Sequence, residues 1–176
     1  MTTHLPVTPR PGIHAPGPVR DLGAPHLVTS APFLHPVTVG WGDCDPAQIA
    51  YTANIPGWGL RAVEAWYRAC LGIDWYQINL DHGIGTPFVN LGFDFHSPIT
   101  PRSPLDVVVW VSRLGRSSLT HLVEGHQGNR HCFTGTTTCA FVDTHTLASL
   151  AIPPNMRVSI EQYQALQGET PVRVKR

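Results

Sequence analysis

The spacing of apolar residues predicts one long helix in the first half of the chain. Between residues 54 and 71 they recur three or four positions apart and form one stripe, made of Ile55, Trp58, Ala62, Trp66 and Ala69. Asn54 is a candidate N-cap, Pro56 suits the first turn, and Gly72 stands where a helix usually ends. Because the stripe is wide and aromatic, we expect the helix to be buried against a flat surface.

A period of two, which is typical of strands, follows this helix. Apolar and polar residues alternate between residues 89 and 96, and Val89, Leu91, Phe93 and Phe95 fall on one face. Three further strands are predicted, at residues 105–111, 117–126 and 131–143. Gly128–Asn129 is typical of a tight hairpin turn between the last two of them.

The order of these elements predicts an α+β architecture. A strand at residues 33–41 precedes the helix, and residues 155–165 are expected to add one or two helical turns. One buried helix wrapped by a curled antiparallel sheet accounts for this order. Exposed sheet edges are prone to pair with another chain, so we expect a dimer in which edges pair.

Composition sets the boundaries of the domain. Residues 1–32 contain seven prolines and few large apolar residues, which predicts a proline-rich flexible or extended arm. The globular domain is expected at residues 33–165, and residues 166–176 form a C-terminal tail.

Charge excludes several classes of partner. The chain has 12 Lys and Arg against 12 Asp and Glu, and charged residues make up only 14% of it. This balance offers no basic face for nucleic acid. No apolar run approaches the ~20 residues that a membrane-spanning helix needs. We therefore expect a cytoplasmic protein without a nucleic-acid or membrane partner.

Cysteine and histidine do not follow metal-binding patterns. The four cysteines lack C-x-x-C spacing and are expected to be free and mostly buried. His121, His126 and His131 recur every five residues, and an odd spacing alternates between the two faces of a strand. The sequence therefore predicts structural or exposed histidines and no metal site.

One irregular segment separates the first strand from the helix. Residues 42–46 read Gly-Asp-Cys-Asp-Pro, and both Asp and Pro are rare inside strands. Pro46 biases Asp45 toward an extended backbone, which holds the carboxylate at the mouth of the helix. Asp before Pro is also a common turn former. The residues alone leave Asp45 as either a turn residue or a reactive carboxylate, and they favour Asp43 for turn hydrogen bonding.

Three blocks, with this order of elements, resemble the hot-dog-fold acyl-CoA thioesterases of the 4-hydroxybenzoyl-CoA thioesterase family. The first block is Trp41–Ala47 with Ile49, Tyr51, Asn54 and Trp58, the second is Gly85-Thr86-Pro87, and the third is Leu114–Ser118. The resemblance spans roughly residues 33–165 and implies the hot-dog fold, in which a curled antiparallel sheet wraps a long central helix. It also implies dimers or tetramers with sites at the subunit interface.

The resemblance implies hydrolysis of an acyl-CoA and assigns the roles of several residues. Asp45 matches the aspartate that attacks the thioester carbonyl or activates water against it. Gly85 matches a glycine whose N–H points at the carbonyl oxygen. Further contacts with the substrate are expected from Tyr51, Trp58, Leu60, Thr86, Arg116 and Ser118, with the last two of these at the phosphates of CoA. No cofactor is implied, because coenzyme A is part of the substrate.

Chemistry and two departures from the family refine this expectation. Carboxylates are ionised and weakly basic at neutral pH, which favours Asp45 as a nucleophile, although a general-base role stays open. Relatives that bind a phenol hydroxyl can carry an acidic residue where this chain has Leu60, which argues against a para-hydroxyl group on the substrate. The acyl group is expected to be aromatic or otherwise compact, because Trp58 and Trp66 offer aromatic walls for its pocket. Gln48 stands where such relatives usually have glycine.

Two other functions remain open at this stage. Glu64 is an alternative catalytic carboxylate, and a dehydratase would pair it with His82. A non-catalytic acyl-CoA-binding protein would keep the pocket without turnover.

Overall fold

A computed structural model describes residues 22–171, in which one antiparallel sheet wraps one long helix. The helices and strands are β1 (Phe33–Val37), α1 (Asn54–Leu71), α2 (Trp75–Leu80), β2 (Ile84–Gly85), β3 (Phe88–Phe95), β4 (Leu105–Leu114), β5 (Ser118–Gln127), β6 (Arg130–Ala140), β7 (Val142–Asp143) and α3 (Pro154–Leu166). The five-stranded sheet has the order β1-β4-β5-β6-β3, and β2 pairs with β7 in a separate ladder. This arrangement confirms the α+β hot-dog fold.

Helix α1 has the predicted bounds, but two details differ. Its N-cap is Ala53, because the side chain of Asn54 is used elsewhere, as described below. Gly72 ends the helix with a left-handed φ of 68°. Ala69 is exposed, whereas Cys70 continues the buried stripe one turn after Trp66. Because an α-helix has 3.6 residues per turn, the residue four positions after Trp66 lies on the same face, and that residue is Cys70.

The core lies between α1 and the inner face of the sheet. Leu105, Val107, Val109 and Val111 alternate toward this face and are buried, as their period of two predicts. The close approach depends on glycine: a Cβ at Gly59 in α1 would lie 2.8 Å from the ring of Phe93 in β3.

Three features of the fold are missing from the sequence prediction. Helix α2 begins with a capping box, in which the Asp74 carboxylate accepts the Gln77 N–H and the Gln77 side chain accepts the Asp74 N–H. The ladder of β2 and β7 is two residues long on each side and too short to show a period. Helix α3 has 13 residues and exceeds the predicted one or two turns.

The packed domain extends beyond its expected N-terminal boundary. Val28 is buried in the core, and the Ser159 hydroxyl of α3 donates to the carbonyl oxygen of His26. Asn155 donates in the same way to Gly23. Residues 22–32 therefore lie against their own chain, while the rest of the predicted arm, residues 1–21, lies outside the described residues.

Candidate active site

Asp45 lies in a tight loop between the 3-10 turn Trp41–Asp43 and α1. The Asp45 N–H donates to Ile49 O at 2.9 Å, and the Gln48 N–H donates to Asp45 O at 2.9 Å. One carboxylate oxygen, Oδ1, accepts the Ala47 N–H at 2.8 Å. Within residues 22–171 the second oxygen, Oδ2, has no hydrogen-bond partner. Asp45 is thus a half-buried turn residue in which one carboxylate oxygen is used by the turn and the other is not.

The loop is closed by an unusual backbone conformation at Gln48. Its φ is 65°, in the left-handed region that L-residues avoid at a cost of roughly 1–2 kcal/mol. This conformation explains why glycine suits the position, because glycine adopts it without steric cost. The strain keeps the loop short, so that the chain returns at Ala50 to pair with Cys44.

Asp43 and Asn54 anchor this loop to the first turn of α1. The Asp43 carboxylate accepts the Gly40 N–H at 2.8 Å, which confirms the predicted turn role. The Asp43 carbonyl accepts the Tyr51 N–H at 2.8 Å and the Asn54 side-chain amide at 3.0 Å. The amide of Asn54 therefore holds the loop against the helix instead of capping it. The position of Asp45 relative to α1 follows from these bonds.

Exposed aromatic side chains flank the Asp45 loop. Trp41 and Tyr51 are both largely exposed, which is unusual for residues of this size. Trp58 is buried in the core, and Leu60 is half-buried on α1. Of the predicted substrate contacts in this region, Tyr51 is the one that a bound molecule or a second chain reaches most easily.

Gly85 is in the short ladder of β2 and β7. It pairs with Val142, and the Thr144 N–H donates to Gly83 O at 3.0 Å. Hydrogen-bonded and non-hydrogen-bonded pairs alternate in antiparallel ladders, so this register directs the Gly85 N–H at Val142. The N–H of the next residue, Thr86, points away from β7. The free Gly85 N–H that the oxyanion role requires is therefore engaged by the ladder.

An apolar cavity of about 470 Å³ opens beside Gly85 and Thr86. Its walls include Trp75 and Phe88, whose rings meet edge to face at 5.5 Å, and Leu80, Val142 and Leu147. Thr144 also lines the cavity, and its hydroxyl is buried and lacks a hydrogen-bond partner among the described residues. The cavity thus has aromatic walls and an unpaired hydroxyl close to them.

A buried phenol lies near this cavity and is not available as a proton carrier. The Tyr67 hydroxyl is 3.4 Å from the sulfur of Cys139. Burial holds the pKa of Tyr67 well above its usual value, so the phenol stays protonated at neutral pH.

The loop from Leu114 to Ser118 carries the predicted phosphate contacts. Arg116 is exposed, and Ser118 is half-buried at the start of β5. Arg157 of α3 donates to Gly115 O at 2.5 Å, which adds a second guanidinium at this loop. Arg157 is far from the motif in sequence, so only the docking of α3 reveals it.

The two halves of the predicted site lie at opposite ends of β3. Ala140 N–H donates to Pro87 O, so the Gly85 segment adjoins the start of β3 at Phe88. Ala50 N–H donates to Ile99 O, which places the Asp45 loop beyond the end of β3 at Phe95. At about 3.3 Å per residue, the 8 residues of β3 separate them by roughly 26 Å. A single chain does not bring Asp45 and Gly85 together.

The alternative carboxylate lacks the partner that a dehydratase would need. Glu64 is half-buried on α1, and no hydrogen bond or ion pair joins it to His82 within the described part of the chain. The Nδ1 atom of His82 is buried and has no hydrogen-bond partner there.

The three histidines of β5 and β6 divide between the two faces of the sheet. His121 points inward, fully buried and 4.6 Å from Trp66 between ring centroids. His126 and His131 are half-buried on the outer face. The alternation predicted from the odd spacing is therefore confirmed for His121.

The four cysteines are free, also as predicted, and three of them are buried.

Comparison with known proteins agrees with this fold. The family model of the thioesterase-like superfamily matches residues 39–160. A crystal structure of a thioesterase superfamily protein from Jannaschia sp. CCS1 is 42% identical and covers 78% of this chain and 96% of its own, with a TM-score of 0.72. No curated protein sequence matches the chain.

More distant structures share the fold alone. A 1,4-dihydroxy-2-naphthoyl-CoA thioesterase from Synechocystis is 17% identical over 73% of this chain and 94% of its own, with a TM-score of 0.67. A hypothetical protein from Staphylococcus aureus, solved in complex with CoA, is 14% identical over 84% of this chain and 92% of its own, with a TM-score of 0.75.

The chain belongs to the thioesterase-like superfamily, since the matched residues make up most of its length. It has the hot-dog fold of that superfamily and is a thioester hydrolase. Among residues 22–171, none of the helices is long and apolar enough to cross a membrane.

Proposed function

We propose that this enzyme hydrolyses an acyl-CoA with an aromatic or otherwise compact acyl group, and that Asp45 is the catalytic carboxylate. One observation carries the proposal: the turn holds Asp45 through a single carboxylate oxygen, and the other oxygen has no partner among residues 22–171. Asp45 is half-buried, and the exposed residues Trp41 and Tyr51 flank its loop along the chain.

The proposed site is shared between two subunits. Strand β3 is an edge of the five-stranded sheet, and its apolar residues Val89, Leu91 and Phe95 are exposed. Antiparallel pairing of two β3 strands about a twofold axis would bring the end of one strand to the start of the other. Asp45 of one subunit would then meet Gly85 and Thr86 of its partner, which removes the separation found within one chain.

The chemistry requires only a nucleophile or base and a donor for the oxyanion. Attack by Asp45 Oδ2 on the carbonyl carbon forms a C–O bond, breaks the C–S bond and releases CoA as a thiolate, which takes up a proton. Water then cleaves the mixed anhydride, yielding the free acid and restoring the carboxylate. In the general-base route, Asp45 instead takes a proton from the water that attacks the thioester.

The Gly85–Thr86 segment is the proposed location of the thioester oxygen. Because the ladder engages the Gly85 N–H, we assign donation to the N–H of Thr86, which faces away from β7. Gly85 matters in this proposal because it has no side chain. A Cβ at this position would lie 3.0 Å from the side chain of Val142.

The cavity beside this segment supports the acyl class. Trp75 and Phe88 provide aromatic walls, and a volume of about 470 Å³ suits a ring system better than a long chain. At the same end of the sheet, Arg116, Ser118 and Arg157 offer donors for the phosphates of CoA.

The test is release of thiol from a panel of aryl-CoA and alkyl-CoA thioesters by the wild type and by Asp45→Asn. We expect turnover on aryl thioesters to fall by roughly 10²–10⁴-fold in the variant, the usual contribution of such a group. Asp81→Asn, an exposed aspartate at the end of α2, is the matched control and should keep full activity.

Equal turnover by Asp45→Asn and the wild type would remove Asp45 from the mechanism. Binding of CoA without release of thiol from any thioester would favour the non-catalytic alternative. Circular dichroism and light scattering on each variant separate these outcomes from misfolding or a changed oligomeric state.

A further inference from the structure

Glu124, His126 and His131 form a cluster of half-buried side chains where the end of β5 lies beside the start of β6. Each offers one ligand atom, and the three atoms lie within 4.8 Å of one another. From this geometry we propose a binding site for a divalent first-row transition-metal ion of the Zn²⁺ type.

A β-bulge brings these side chains together. Glu124 and His126 are two residues apart on β5 and share a face. His131 lies opposite His126, while Gly125 lies opposite Phe133, so β6 has one extra residue between these pairs. The extra residue, Cys132, shifts His131 onto the face occupied by Glu124 and His126. Sequence spacing does not reveal this convergence because it depends on the bulge.

The distances suit tetrahedral coordination. Bonds of about 2.0–2.1 Å to nitrogen and oxygen set the ligand atoms of a tetrahedral site about 3.3 Å apart. His126 Nε2 is already 3.3 Å from Glu124 Oε2. The rings of His126 and His131 stack at 4.8 Å with an interplanar angle of 15°. His131 Nε2 contacts both Phe133 O and Thr134 Oγ1 at 3.0 Å, so in the proposed site the His131 side chain rotates and exchanges these two contacts for the ion.

The chemistry of the cluster favours a cation. Two stacked imidazoles repel each other when both are protonated, whereas neutral imidazoles are the usual ligands of Zn²⁺ and related ions. A carboxylate beside them lowers the net charge of the bound site. His96 is adjacent, with its ring 4.5 Å from that of His131, and it offers a further nitrogen.

The affinity for Zn²⁺ can be measured on the full chain, which is produced without a histidine tag and freed of metal with a chelator. Zn²⁺ alone is titrated in competition with a chromophoric indicator, and Co²⁺ absorption reports tetrahedral coordination. We expect one equivalent per chain to bind the wild type, with affinity at least tenfold weaker in His131→Gln and Glu124→Gln. His145→Gln is the matched control, because His145 is exposed and lies outside the cluster.

The alternative outcomes are distinct. Equal affinity in the wild type and both cluster variants would overturn the proposal and assign the bound metal to other residues, such as His4 and His14. Absence of saturable binding to the wild type would also overturn it. Because the readout is metal binding, neither result depends on the thioesterase activity, and the failure of one proposal leaves the other unaffected.

Discussion

Single residues in this enzyme are held in conformations or environments that their type disfavours. Gln48 has a left-handed backbone in the loop that carries Asp45, and His121 is an imidazole enclosed in the core. Each of these features lowers the free energy of unfolding under some condition, and a substitution can remove that effect. The motif around Asp45 was readable in the sequence, whereas neither of these costs was, because they depend on the path of the backbone and on burial.

Gln48→Gly should stabilise the protein. Glycine reaches the φ of 65° without steric cost, and this gain of roughly 1–2 kcal/mol exceeds the extra entropy that glycine loses on folding. We expect a net increase of about 0.5–1 kcal/mol in the free energy of unfolding, measured with urea. Gln164→Gly, within helix α3, should instead lower it. A decrease at Gln48 would show that the conformation is not strained.

His121 should make the stability depend on pH. Burial lowers the pKa of His121 to about 3, and both of its ring nitrogens lack hydrogen-bond partners among the described residues. In the unfolded chain the pKa is about 6.5, so below that pH the unfolded state binds a proton that the folded state does not. Neutral His121 therefore makes its full contribution to the free energy of unfolding above pH ~6.5. This contribution is lost progressively as the pH falls toward the pKa of His121 in the folded protein.

Unfolding free energy measured from pH 7 to pH 4 tests this contribution. Near pH 4, the free energy of unfolding of the wild type should change with pH more steeply than that of His121→Phe. The two slopes should differ by up to about 1.4 kcal/mol per pH unit, which is the value for one proton. Equal slopes would mean that His121 is protonated or hydrated in the folded state. Phenylalanine suits the site because Trp66 already packs edge-on against this ring.

At the scale of elements, α1 shows what periodicity can and cannot predict. The bounds of the helix and most of its stripe follow from the spacing of apolar residues. The role of Asn54 does not follow from this spacing, because its side-chain amide donates to the carbonyl of Asp43, eleven residues earlier. The short elements α2, β2 and β7 carry too few residues for a period and are positioned by capping and by their neighbours.

Two glycines of α1 should respond in opposite ways to alanine. A Cβ at Gly57 meets nothing within 4 Å, so Gly57→Ala should stabilise the helix by roughly 0.5–1 kcal/mol. A Cβ at Gly59 would lie 2.8 Å from Phe93, so Gly59→Ala should destabilise by about 1–3 kcal/mol through overpacking. Thermal unfolding of both variants measures the contrast. Stabilisation by both would mean that Phe93 moves aside without cost.

At the scale of the whole molecule, the exposed edge of β3 is the surface on which the proposed two-subunit site depends. Val89, Leu91 and Phe95 expose apolar surface along this edge, and Asp45 and the Gly85 segment lie beyond its two ends. In the proposed dimer, pairing across this edge would cover that surface and complete the site in one step. At the other edge of the sheet, β1 is only 5 residues long and contains Pro36, which discourages pairing.

Leu91→Arg should therefore yield monomers without thioesterase activity. Leu91 is 47% exposed on β3, and a charge there would be buried by pairing at a large cost. Light scattering measures the mass, and thiol release measures the activity. Leu34→Arg is the matched control, since Leu34 is 51% exposed on the edge strand β1 and should leave both unchanged. A Leu91→Arg enzyme that keeps its assembly and its activity would rule out the β3 interface.

The sequence by itself determined the features that depend on local order. Apolar spacing specified α1 and the main strands, and the Gly-Asp-Cys-Asp-Pro segment located Asp45, because periods and turn chemistry act over a few residues. Only the tertiary structure decided what distant segments do together. It directed the N–H of Gly85 into a ladder, brought Arg157 to Gly115, and set His126 against His131 across a bulge. These outcomes depend on strand register and on the docking of α3, which no local pattern encodes.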